Sequence, residues 1–136
     1  MLSRHLGLTL LLCCCSALAR DCIGVIPSGG GASFWGLVEA GARQAGAELE
    51  LDIYYRGPTR ENDTVAQLKA IDKMLARGCK AIVVAPAGAA LAEKAAQLRQ
   101  LGVPLLYIDR DMGGDAVRAV ITTNNFQAGV LAGKQM

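Results

Sequence analysis

Hydrophobic positions along the chain alternate between two patterns, which predict strands and helices in regular succession. Short continuous apolar runs, such as residues 81–85 and 104–108, indicate strands buried on both faces. Stripes of apolar residues at every third or fourth position indicate amphipathic helices, which end near glycines. In chain order we predict strand 23–27, helix 34–46, strand 49–53, helix 65–78, strand 81–85, helix 91–102, strand 104–108, strand 119–121 and a helix after residue 125.

Alternating strands and helices predict an α/β fold with a doubly wound, mainly parallel sheet and helices on both faces. Residues 49–53 alternate apolar and polar side chains, which is typical of a strand at the sheet edge. Ser33 is a candidate N-cap for the first helix, and Gly46 a candidate end. The last helical pattern runs to Met136 without a stop signal, so we expect a truncated domain.

The first 19 residues differ from the rest and predict a signal peptide. Arg4 and His5 precede an apolar stretch, and residues 17–19 fit a signal-peptidase site. Cleavage after Ala19 would leave residues 20–136 as one domain, without stable insertion in a membrane. The stretch is short for a spanning helix, which needs about 20 apolar residues. An uncleaved anchor and a lipoprotein are the alternatives.

Composition excludes several kinds of function. The net charge of +2 is spread along the 136 residues without a basic run, so we expect no nucleic-acid partner. Removing the leader removes His5, the only histidine, and leaves the cysteines Cys22 and Cys79. The mature chain therefore lacks the residues for a Ser-His-Asp or Cys-His site or a His-ligated metal, and we predict no enzyme, cofactor or metal. The acidic loop 109–115 fails the EF-hand pattern at Gly113.

Ligands of an open parallel sheet bind outside the carboxyl ends of its strands, which selects five loops. Phe34 and Trp35 stand side by side where the first helix begins. Neighbours on a helix point about 100° apart, so we expect one ring in the core and the other facing the crevice. An aromatic ring suits the C–H face of a sugar. The alternative is that both rings only pack in the core. The loops are residues 28–35, 55–62, 86–90, 109–115 and 122–125.

Polar candidates follow the fourth and fifth strands. Asp109 and Arg110 come directly after a buried run, and their carboxylate and guanidinium suit the hydroxyls of a neutral polyol. The alternative is a surface ion pair. Asn125 and Gln67 are further candidates, because a side-chain amide both donates and accepts hydrogen bonds.

These features together resemble the ribose-type family of periplasmic sugar-binding proteins, which is related to the ligand domains of LacI-type repressors. The similarity runs from Ile23 to Met136 and covers the first half of a family member. It is carried by residues 23–28 before the aromatic pair, by 77–86, by Ile108-Asp109-Arg110, and by Thr123-Asn124-Asn125 with Ala128-Gly129.

The resemblance implies the Rossmann-like N-terminal lobe of a type I periplasmic binding protein that binds a monosaccharide or a related small polar ligand. It implies that Phe34 and Trp35 flank the sugar and that Asp109 and Arg110 bind its hydroxyls. It also implies delivery to the permease of an ABC transporter, and in some members to a chemoreceptor. Residues 29–32 read Gly-Gly-Gly-Ala where ribose binders carry a polar, Asn-rich loop, so the sugar remains open.

Two other functions are compatible with the same pattern. One is the ligand-sensing domain of a periplasmic sensor or chemotaxis system. The other is a nucleotide-binding enzyme domain, which the glycine spacing disfavours, because the dinucleotide motif read from Gly29 would need a small residue at Phe34. In this fold Cys22 and Cys79 precede neighbouring parallel strands, which predicts a disulfide at the end of the sheet opposite the ligand.

Overall fold

A parallel five-stranded sheet organises the chain in a computed structural model that describes residues 20–31 and 33–136. The strand order is β2-β1-β3-β4-β5, so the α/β prediction is confirmed and the second strand does lie at an edge. The predicted signal peptide, residues 1–19, lies outside the described residues. The elements are β1 Cys22–Ile26, α1 Phe34–Glu48, β2 Asp52–Tyr55, α2 Thr64–Ala76, β3 Ala81–Val84, α3 Ala90–Gln100, β4 Leu105–Ile108, β5 Ala119–Ile121 and α4 Asn125–Gln135.

The two faces of the sheet are covered unequally. Helices α2 and α3 pack on one face, where alternate strand residues join a buried core. The other face holds α1, and the alternate residues of β3 and β4 that point there are only partly buried. These strands are therefore less evenly buried than the continuous apolar runs predict. The main core residues are Ile26, Ile71, Met74, Ile82, Val84, Leu91, Leu98, Leu105 and Tyr107.

The start and end of α1 differ from the prediction. Among the described residues, Asp63 and Asn124 cap α2 and α4 with side-chain hydrogen bonds, whereas Ser33 makes no such bond to α1. The helix also continues past Gly46 to Glu48. Gly46 is needed for packing, because a Cβ at this position would collide with the side chain of Ile53 on the edge strand.

Gln67 ties two loops together inside the protein and is not available to a ligand. Its side chain is fully buried, and Nε2 donates to the carbonyl oxygens of Pro27 (3.0 Å) and Ala85 (2.7 Å). Its Oε1 accepts from the backbone N–H of Ala87 at 2.9 Å. These bonds join the loops that follow β1 and β3, so the sequence-based suggestion that Gln67 contacts ligand is wrong.

Replacing Gln67 with leucine should therefore lower the free energy of unfolding by about 3 kcal/mol, because two carbonyls and one N–H would be buried without partners. Urea unfolding measures this change. Gln97→Leu, on the exposed side of α3, is the matched control and should leave stability within about 0.5 kcal/mol. Equal stability of the two variants would contradict the assigned role.

Cys22 and Cys79 lie at the amino ends of β1 and β3, on neighbouring strands. Their Sγ atoms are 2.00 Å apart, and their Cα atoms are 4.2 Å apart. The loops selected from the sequence as candidate ligand sites follow the opposite, carboxyl ends of the strands. The disulfide between them remains our prediction until the thiols are measured.

Candidate functional site

An open crevice of about 430 Å³ lies at the carboxyl ends of β4 and β5, beside the start of α1. Three of the five loops selected from the sequence contribute to it. Four of the five predicted ligand residues are brought together in its wall, and Arg110 lies beside it. The lining residues are Phe34, Trp35, Val38, Ile108, Asp109, Ile121, Thr122, Thr123 and Asn125.

The two aromatic side chains differ in burial, as predicted for neighbours on a helix, but the prediction that only one of them faces the crevice is wrong. Trp35 is only 7% exposed, whereas Phe34 is 57% exposed. Their rings meet edge to face, with centroids 4.9 Å apart and planes at 80°. Because both residues also line the crevice, Phe34 and Trp35 together form its aromatic wall.

Two hydrogen bonds hold Trp35, and a third holds the carboxylate that accepts one of them. Its Nε1 donates to Glu61 Oε1 at 2.7 Å, and the second oxygen of the same carboxylate accepts from the Oγ of the fully buried Ser28 at 3.0 Å. The hydroxyl of Tyr55 donates to the backbone carbonyl of Trp35 at 2.9 Å. The loop after β1 and the loop after β2 are thus joined at the tryptophan.

The pKa values of Glu61 and Tyr55 are shifted in the directions that these hydrogen bonds require. The hydrogen bonds from Trp35 and Ser28 lower the pKa of Glu61, and the positive charge of Arg110 lowers it further, so the carboxylate is ionised at neutral pH. Burial, with a smaller contribution from Glu39, raises the pKa of Tyr55 to about 12. Tyr55 is therefore protonated at neutral pH, and its O–H group is available as the donor of the hydrogen bond to the Trp35 carbonyl.

Asp109 is held at the crevice by an unusual backbone conformation. Its φ is 71°, in the left-handed region that aspartate and asparagine adopt more readily than most residues. Its N–H donates to the carbonyl oxygen of Ile121 (3.1 Å), and its own carbonyl accepts from the Thr122 hydroxyl (2.7 Å). These two hydrogen bonds join the carboxyl ends of β4 and β5. The Asp109 side chain, 34% exposed, lies where the two strands end.

Arg110 lies behind Asp109 and is not among the residues lining the crevice. Its Nε donates to Asp109 Oδ2, and its Nη1 donates to Asn62 Oδ1, both at 3.2 Å. An ion pair does form, as one of the two sequence-based readings expected. The guanidinium also links Asp109 to the loop after β2, so in this structure it orients the carboxylate, and its contact with ligand remains a prediction.

Sequence reasoning missed Glu61 and Asn62. Both belong to the loop 55–62, which the carboxyl-end rule selected, but nothing in the pattern distinguishes them from other polar loop residues. Their partners are 26 and 48 residues away along the chain, so only the folded structure reveals the contacts. Glu61 contacts the aromatic part of the site and Asn62 the charged part.

A second crevice, of about 490 Å³, lies on the other side of Trp35. Its wall is formed by the glycine loop 29–31 and by residues 55–59 of the loop after β2. Trp35 therefore lines both crevices.

The chemistry of the first crevice suits a polar ligand with one apolar face. An aromatic wall can pack on C–H groups, while the Asp109 carboxylate accepts hydrogen bonds and the Asn125 amide both donates and accepts them. Across residues 20–31 and 33–136 there is no group of three or more His, Cys, Asp or Glu side chains that could hold a metal ion. The helices of the same residues include none long and apolar enough to cross a membrane.

Comparison with known proteins gives a consistent result. Residues 23–136 match the family model described as the periplasmic binding protein domain. The solved structure of an ABC-type sugar transport system, periplasmic component, from Hahella chejuensis is 28% identical, with a TM-score of 0.75 over 82% of this chain. The match covers 41% of that protein.

Two further structures are similar to the same extent. A carbohydrate transporter solute binding protein from Agrobacterium radiobacter, in complex with D-arabinose, is 28% identical with a TM-score of 0.72, over 87% of this chain and 40% of its own. A glucose-galactose binding protein from Geobacillus stearothermophilus is 25% identical with a TM-score of 0.70. The match covers 86% of this chain and 42% of that protein. The chain thus spans about two fifths of the length of these proteins.

Proposed function

The chain belongs to the periplasmic binding protein domain family, and from this we propose that it forms one lobe of the substrate-binding component of an ABC transporter, with a monosaccharide as ligand. The observation that carries the proposal is the aromatic wall of Phe34 and Trp35 together with Asp109 in one crevice at the carboxyl ends of the strands. An aromatic face and a carboxylate acceptor suit the C–H face and the hydroxyls of a sugar ring.

The contacts around the site support this function. Trp35 and Asp109 are each held by hydrogen bonds to other loops, so the site is ordered before ligand arrives and binding requires little further ordering of these side chains. Asn125 lies at the start of α4, where its side-chain amide can form a hydrogen bond with one further hydroxyl of the sugar. Arg110 would bind the sugar either directly or through the orientation that it gives to Asp109.

The same proposal covers the compartment and the partners. We infer that residues 1–19 direct export, that the mature domain begins near residue 20, and that it acts in the periplasm. The transporter permease is the proposed protein partner, and a chemoreceptor or periplasmic sensor is the alternative. A cleaved amino terminus at Arg20 in protein recovered from the periplasm would support this arrangement.

Trp35 provides a direct test, because it is the only tryptophan of the chain. We expect at least one sugar from a panel of D-arabinose, D-ribose, D-xylose, D-glucose and D-galactose to change its fluorescence saturably. The reason is that a sugar packed on the aromatic wall changes the polarity of the surroundings of the indole. Glycerol at the same concentrations is the control, since it carries hydroxyls without a ring.

Asn125→Ala should weaken the response to the best sugar by about five- to tenfold, the loss of one hydrogen bond to a ligand hydroxyl. The same titration measures it, with Gln127→Ala, two residues further along α4 and outside the residues that line the crevice, as the matched control. If no sugar changes the fluorescence beyond the glycerol baseline while the protein remains folded, the sugar assignment is contradicted.

A further inference from the structure

We propose that Glu61 is a positioning residue of the site: its carboxylate fixes the indole of Trp35 in the orientation that the aromatic wall requires. This inference rests on the proposed function for its effect on sugar affinity. Its effect on Trp35 itself does not depend on any ligand.

The carboxylate makes two bonds that point in different directions. One oxygen accepts from Trp35 Nε1 at 2.7 Å, and the other from Ser28 Oγ at 3.0 Å. Because Ser28 is fully buried and follows β1 closely, it gives the carboxylate a rigid anchor on the sheet. Trp35 is thereby tied to the end of β1 through Glu61, in addition to the backbone of α1.

The backbone at Gly29 lies in close contact with Glu61. A Cβ on Gly29 would lie 2.7 Å from the carboxyl carbon of Glu61 and 2.8 Å from its Cα. The glycine at position 29 therefore lets the loop after β1 pass against Glu61.

Glu61 also lies beside the charged part of the site. Its neighbour Asn62, at a φ of 61°, accepts the hydrogen bond from Arg110 that helps to orient Asp109. Two consecutive residues of one loop thus contact both halves of the crevice. A shift of this loop would move the aromatic wall and the carboxylate together.

The test uses the fluorescence of Trp35 in the full chain without ligand. In Glu61→Ala the indole N–H loses its acceptor and the ring gains freedom, so we expect a red-shifted emission and easier quenching by acrylamide. Glu61→Gln can accept from Trp35 with its amide oxygen and donate to Ser28 with its amide nitrogen, so it should retain the parent spectrum. Glu93→Ala, at an exposed position of α3, is the control.

Sugar titrations form the second part of the test. We expect Glu61→Ala to weaken binding of the best sugar about tenfold, the equivalent of one lost charge-assisted hydrogen bond, while Glu61→Gln stays within about threefold of the parent. Thermal unfolding of each variant confirms that the fold is intact, since Glu61 is an exposed loop residue.

The outcomes distinguish the positioning role of Glu61 from the proposal that the ligand is a sugar. An unchanged Trp35 spectrum in Glu61→Ala, or equal spectra for the alanine and glutamine variants, would overturn the positioning role whatever the sugar results. A chain that binds no sugar but shows the alanine-specific spectral change would keep the positioning role and reject the proposed ligand.

Discussion

Asp109→Asn is expected to weaken sugar binding by about thirtyfold, or about 2 kcal/mol. The charged carboxylate accepts hydrogen bonds about twice as strong as those of a neutral oxygen, and the amide that replaces it has one acceptor fewer. Asparagine is the informative replacement because it tolerates the left-handed backbone, with a φ of 71°, that alanine would strain. Isothermal titration with the best sugar of the panel measures the change.

Asp115→Asn provides the matched control for this prediction. Asp115 is exposed and lies in the same acidic loop, away from the residues that line the crevice. The Asp115→Asn variant should bind the sugar with the same affinity as the parent protein. If Asp109→Asn also leaves the affinity unchanged, the carboxylate is a surface group, and the alternative reading of Asp109 and Arg110 as an ion pair without a role in binding is correct.

The second large effect concerns stability. Replacing both Cys22 and Cys79 with serine, or reducing the protein, should lower the free energy of unfolding by about 4 kcal/mol. The two residues are 57 positions apart, and closing a loop of that length restricts the unfolded chain by this amount in the chain-entropy model. Urea unfolding with and without reductant measures the difference.

The reductant effect should disappear in the double serine variant, which serves as its own control. Peptide mass spectrometry without prior reduction should find one linked peptide that contains Cys22 and Cys79. If both thiols react with an alkylating reagent in folded protein from the oxidising compartment, the disulfide does not form. Because the bond lies at the amino ends of the strands, its loss should leave the Trp35 fluorescence of the folded protein unchanged.

The fold could be predicted from the sequence because its signals are local. Apolar runs such as residues 81–85 and 104–108 contain the strand pattern within a few positions, and the glycines after α2 and α3 end those helices in a left-handed turn. The alternation in residues 49–53 indicated an edge strand, but the strand itself is Asp52–Tyr55 and shares only residues 52 and 53 with the predicted range. Gly46 was misread as a helix end, since the close approach of Ile53 that requires a glycine there is a tertiary contact.

For the site, the sequence by itself determined the edge of the sheet at which it lies, because parallel strands bring their carboxyl ends to one edge, and three of the five loops selected there line the crevice. It also indicated that Phe34 and Trp35 must differ in burial, because neighbours on a helix point in different directions. Only the tertiary structure decided that Trp35 is the buried ring, that Arg110 turns towards Asn62, and that Glu61 holds the indole. These contacts join residues far apart in the chain, and their geometry depends on how the loops pack, which no local pattern records.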